Sequence, residues 1–68
     1  MEPKRFADLA SALRGHFGWK SAMAREFEVH RSTVTRWASG DIPIPPEVSS
    51  ALEQEAAERA AQIQALVA

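Results

Sequence analysis

Five side chains with hydrogen-bonding chemistry recur at a telling spacing. Arg31, Ser32, Thr35, Arg36 and Ser39 fall at i, i+1, i+4, i+5 and i+8, which places them on one face of an α-helix. Val34 and Trp37 stand three apart on the opposite side and form an apolar seam. A guanidinium is a planar fork of donors, and a hydroxyl both donates and accepts. Two arginines and three hydroxyls on one exposed face therefore suit phosphate oxygens and the edges of bases. Enzyme chemistry is not expected. The chain offers no nucleophile–base pair, glycine-rich phosphate loop or carboxylate cluster on one face at useful spacing. It has no cysteine, and neither His16 nor His30 is paired with a second ligand type, so no metal is expected. No cofactor is expected either, because Val29, Val34 and Trp37 read as core and lack the polar anchors of a cofactor pocket.

The elements around that face must hold it rigid and outward. Upstream, Met23, Ala24 and Phe27 occupy one side of a helical turn. A break, Glu28-Val29-His30, separates this pattern from the next helix, for which residues 31–39 are expected. His30 falls at the N-cap place, where a ring nitrogen can accept from a backbone N–H. Gly40 can take the left-handed conformation that ends a helix.

Taken together, Met23 to Gly40 resembles the helix-turn-helix of the repressor/Cro-like family of small phage and bacterial regulators. Ala24, Val29, Thr33, Val34, Arg36, Trp37 and Gly40 stand where that family has a helix-2 alanine, an aliphatic turn residue, Thr-Val-x-Arg-Trp and a glycine. Asp41-Ile42-Pro43-Ile44-Pro45-Pro46 looks like the proline loop of phage and prophage members. The resemblance spans residues 19 to 48 and departs at one place. The family's turn begins with a left-handed glycine; here Glu28 stands there, at a cost on the order of 1 kcal/mol.

The resemblance implies double-stranded DNA as the partner. Arg31, Ser32, Thr35 and Arg36 become the base contacts. Lys20, Ser21, His30, Thr33 and Ser39 become phosphate contacts, with Lys20 and Ser21 at the start of a helix that meets the backbone. Trp19 has two readings, an indole donor to DNA or a lid on the core.

The remainder of the chain reads as scaffold and a tail. Phe6, Leu9, Ala10, Leu13 and Phe17 make an apolar stripe for a first helix over residues 3–17, begun by Pro3 and ended near Gly18. Lys4, Arg5 and Arg14 lie off that stripe and read as solvated surface, with phosphate contact as the alternative; Arg25 and Glu26 read as solvated too. Ile42 and Ile44 are expected to tuck onto the core. Residues 46–68 read as one helix of about 22 residues, about 33 Å long, which outruns the bundle it starts from. Its stripe, Val48, Leu52, Ala56, Ala60, Ile63 and Val67, wants a second surface. A homodimer interface is expected at Leu52, Ala56, Ala60, Ile63, Leu66 and Val67. The alternative is a frayed tail, helical by propensity alone.

Composition agrees with one all-α domain over residues 1–68, a compact bundle of four helices with room for an extra turn. No membrane span or leader is expected, since no apolar run approaches ~20 residues. The lack of cysteine fits a reducing cytoplasm, and a bacterial cytoplasm or nucleoid is the expected setting. Net charge is −1, but residues 1–40 hold seven Lys and Arg against four acids, a net of +3. Residues 41–68 hold one Arg against five acids, a net of −4. A basic front and acidic back suit a polyanion met on one side; ordinary scatter in a short chain is the alternative. The expected function is a dimeric transcriptional repressor on a palindromic operator, of phage or prophage type. No small-molecule effector is evident. A second reading is an antitoxin or adaptor whose C-terminal helix binds another protein; a third is a helical protein-interaction module without DNA binding.

Overall fold

The computed structural model describes residues 1–67 and consists of four helices: α1 (Pro3–Arg14), α2 (Trp19–Glu26), α3 (Arg31–Ser39) and α4 (Pro46–Val67). No strand occurs among the described residues. The last residue of the expected 46–68 helix lies outside them. α1, α2 and α3 pack on one another, and α4 crosses α1.

The first helix is shorter than its stripe implies. It stops at Arg14, where Gly15 takes φ +102° and its N–H donates to Ser11 O at 2.8 Å. The apolar pattern continued to Phe17, but the backbone leaves the helix first. Phe6 and Ala10 are buried, Leu9 and Leu13 are half-buried, and Phe17 is 97% exposed rather than part of the core.

The core is built where the helical stripes converge. Phe6, Ala10, Met23, Ala24, Val34, Trp37, Val48 and Leu52 are buried. Phe6 is its centre, meeting Trp19 and Trp37 edge-on with centroid separations of 5.9 Å in each case. Edge-to-face pairs add about 0.5–1.5 kcal/mol beyond area burial. Trp19 is thus the half-buried lid of the two readings offered for it. Phe27, Val29, Ile42 and Ile44 close the rim, the last two from the proline-stiffened loop.

Arg14 is not the solvated residue its position suggested. Its guanidinium donates to both oxygens of Glu26 at 3.0 and 2.9 Å, and to both oxygens of Glu55, one of them at 2.8 Å. Two forked pairs on one side chain tie α1, α2 and α4 together, and Glu26 is correspondingly paired rather than solvated. The hydrogen bonds from Arg14 hold the Glu55 carboxyl below the usual carboxylate range, while Glu55 and then Glu26 keep Arg14 charged. A depressed carboxylate contributes stability above its ordinary pKa and loses it as pH falls through the lowered value. Arg59 adds a cap, donating at 3.3 Å to the Leu13 carbonyl, which Arg14 also reaches at 3.5 Å.

Beyond this latch α4 runs on alone. Val48 and Leu52 enter the core, Ala56 is half-buried, and from Ala57 to Val67 every residue is exposed. The overhang explains principal extents of 41 × 21 × 19 Å. No helix among the described residues is long and apolar enough to cross a membrane.

The α2–α3 turn carries the strain read from its sequence. Glu28 is the only non-glycine residue with positive φ among those described, at +55°. Replacing it with glycine removes that strain. Glu28→Gly is expected to raise the melting temperature by a few degrees, since 1 kcal/mol is worth about 4–8 °C in a domain of this size. A lower melting temperature by circular dichroism would contradict this account.

Candidate nucleic-acid interface

The nine residues of α3 divide cleanly by face. Val34 and Trp37 are buried, Thr33 and Ala38 are half-buried at the flanks, and Arg31, Ser32, Thr35, Arg36 and Ser39 are exposed. The buried pair anchors the helix against α1 and α2, so the polar face is held on a rigid support.

Both ends of α3 are capped. His30 has extended backbone at the N-cap, and its Nδ1 accepts from the Ser32 N–H at 3.3 Å. With Nδ1 accepting, the ring proton is assigned to Nε2, which is free to donate. Ser32 Oγ lies 3.0 Å from the same nitrogen. At the other end Gly40 has φ +86°, and a Cβ there would meet Pro3 Cγ at 3.3 Å, so a larger residue would press on α1.

The hydroxyls are satisfied locally. Thr35 Oγ1 donates to Arg31 O at 3.3 Å and Ser39 Oγ to Arg36 O at 3.2 Å. Such back-bonds are weak and leave the oxygen lone pairs outward, able to accept or to rotate toward a ligand. Ser21, near the start of α2, is exposed, and Lys20 is half-buried with Nζ 5.6 Å from the Trp19 ring centroid. That stacking draws its ammonium alongside the α2 N-terminus, where free N–H groups also point.

The distribution of ion pairs is more informative than net charge. Arg5, Arg14 and Arg59 are each paired with an acid, through Glu53, Glu26 and Glu55. Among the described residues five cations have no carboxylate partner: Lys4 on α1, and Lys20, Arg25, Arg31 and Arg36 on α2 and α3. Glu26, an acid of α2, is already neutralised by Arg14. The α2–α3 unit therefore presents four unpaired cations against one unpaired acid, Glu28 in the turn. A cluster of metal-ligating side chains is absent among the described residues.

Two assignments need correction. Leu52 cannot belong to an interface between copies, because it is 1% exposed within its own protomer. The α4 stripe serves the intramolecular core for its first two turns and only then becomes free. Ala60, Ile63, Leu66 and Val67 are exposed, with Ile63 at 61% and Leu66 at 88%, and Ala56 is half-buried at the boundary. Phe17 was placed in the core, yet it stands beside Lys20 and Arg31 on the rim of a shallow cleft. The glycines on either side of His16-Phe17 were the available signal for a turn there.

No family model, curated protein or solved structure matches this chain, so the functional reading rests on its own residues and their geometry.

Proposed function

We propose that the protein is a sequence-specific double-stranded DNA-binding transcriptional regulator of the repressor/Cro-like kind. The supporting observation is the outer face of α3: two arginines without carboxylate partners and three hydroxyls, on a helix capped at both ends and pinned by Val34 and Trp37. An α-helix fits the major groove of B-form DNA, and an arginine there grips guanine O6 and N7 with two bonds. Arg31 and Ser32, at the start of α3, reach deepest, with Thr35 and Arg36 one turn behind. Lys20, Ser21, His30, Thr33 and Ser39 hold phosphates and so set register.

A homodimer through the α4 overhang doubles the contact. Two protomers about a two-fold axis call for an inverted repeat with half-sites about one DNA turn apart. Bound over a promoter, such a dimer represses by excluding polymerase. The exposed Ile63, Leu66 and Val67 also favour a second reading, an antitoxin or adaptor whose α4 takes a different protein.

Selection of bound sites from random duplex DNA tests the proposal. An enriched inverted repeat, bound less tightly as salt rises, is the expected result. No complex at low ionic strength would overturn it. A protein that binds DNA but sediments as a monomer at micromolar concentration would favour the adaptor.

A further inference from the structure

The turn between α1 and α2 makes an exposed aromatic that the core does not use. Gly15 and Gly18 both have positive φ, +102° and +80°, and between them the chain turns Phe17 outward until it is 97% exposed. An exposed phenyl ring is common on a protein surface, so its surroundings decide whether it has a use. The ring is not alone. Together with His16, Trp19, Lys20 and Arg31 it lines an open cleft of about 310 Å³ that joins the α1–α2 turn to the first residue of α3. Two full cations and a histidine line this cleft, and no acid does. Neither Lys20 nor Arg31 has a carboxylate partner among the described residues.

An apolar ring between cations matches one polymer surface closely. A DNA strand presents anionic phosphates in alternation with the C–H faces of deoxyribose. We propose that Phe17 packs against a deoxyribose of the DNA backbone, with Lys20 and Arg31 drawing the neighbouring phosphates into the cleft. This rests on the DNA-binding reading and adds an apolar, sequence-independent contact to its polar ones. The competing occupant is the acidic side of a second copy. Glu53 and Glu55 of α4 are engaged by Arg5 and Arg14, which leaves Glu47 and Glu58 on that helix for such a contact. Geometry argues against it. A cleft on one face meeting a different face of the next copy is a head-to-tail contact, which tends to form rings or open chains rather than closed pairs.

The test compares wild-type protein, Phe17→Ala and Lys20→Ala on one duplex, by fluorescence anisotropy across a salt series. Phe17→Ala should melt like wild type, because the side chain supports nothing in the fold. Its Kd should rise about tenfold at every salt concentration, leaving the slope of log K against log salt unchanged. Lys20→Ala should instead flatten that slope by about one. Wild-type affinity in Phe17→Ala would overturn the proposal while leaving the DNA-binding reading intact. A changed slope in Phe17→Ala would overturn it too, by showing that phosphate contacts had moved. Loss of self-association in Phe17→Ala, seen by sedimentation, would assign the ring to a second copy. If wild-type protein forms no complex, both readings fail together.

Discussion

Removing both guanidinium groups from the outer face of α3 should abolish selective DNA binding and leave the fold standing. Arg31 and Arg36 are exposed and lack carboxylate partners among the described residues, so the double substitution Arg31→Ala with Arg36→Ala removes no internal contact that matters. Surface changes of this kind move stability by about 0.5 kcal/mol or less. Each bidentate arginine–guanine pair is worth about 1–3 kcal/mol of discrimination. If the two add, the selected site loses about 2–6 kcal/mol, a loss of affinity of at least roughly thirtyfold. Residual binding should persist at low salt, held by Lys20 and the other phosphate contacts, but without preference for the selected sequence. Competition against unrelated duplex reads this directly. Undiminished preference for the selected site would move recognition off α3.

The second large effect separates the two halves of α4. Leu52 lies in the core at 1% exposure, and truncating a buried leucine to alanine costs about 2–5 kcal/mol. A domain of this size has little more than that to lose. Leu52→Ala should lower the melting temperature by about 10 °C or more at every protein concentration, as followed by circular dichroism. Leu66 is 88% exposed, so Leu66→Asp should spare the protomer's own packing. It should remove only the part of the stability that depends on protein concentration, and shift sedimentation from dimer to monomer. Equal destabilisation by the two variants would mean that the end of α4 packs into the domain. A dimer surviving Leu66→Asp would place the interface elsewhere.

Most helices could be read from local rules. α3 begins and ends where His30 and Gly40 place its caps, and Pro46 opens α4. Those features act over three or four residues, the range at which capping and backbone preference operate. The polar face of α3 was legible for the same reason: helical spacing alone separates Arg31, Ser32, Thr35, Arg36 and Ser39 from Val34 and Trp37. Phe17 shows where periodicity misleads. Its spacing continued the α1 stripe, but a stripe has meaning only while the helix lasts, and Gly15 ended it.

What the residues determined on their own was a set of amphipathic helices with fixed ends and a basic, hydroxyl-rich face on one of them. Only the tertiary structure decided which charges stay free. Arg14 looked as solvated as Arg31, yet it is spent on Glu26 and Glu55, an alliance that spans 41 positions of the chain. It likewise decided that Leu52 serves the core while Leu66 does not, although both fell in the expected interface between copies. The physical reason is the same in each case. Local preference and periodicity act between neighbours in sequence, whereas pairing of charge and burial of side chains depend on which helices come to lie against each other.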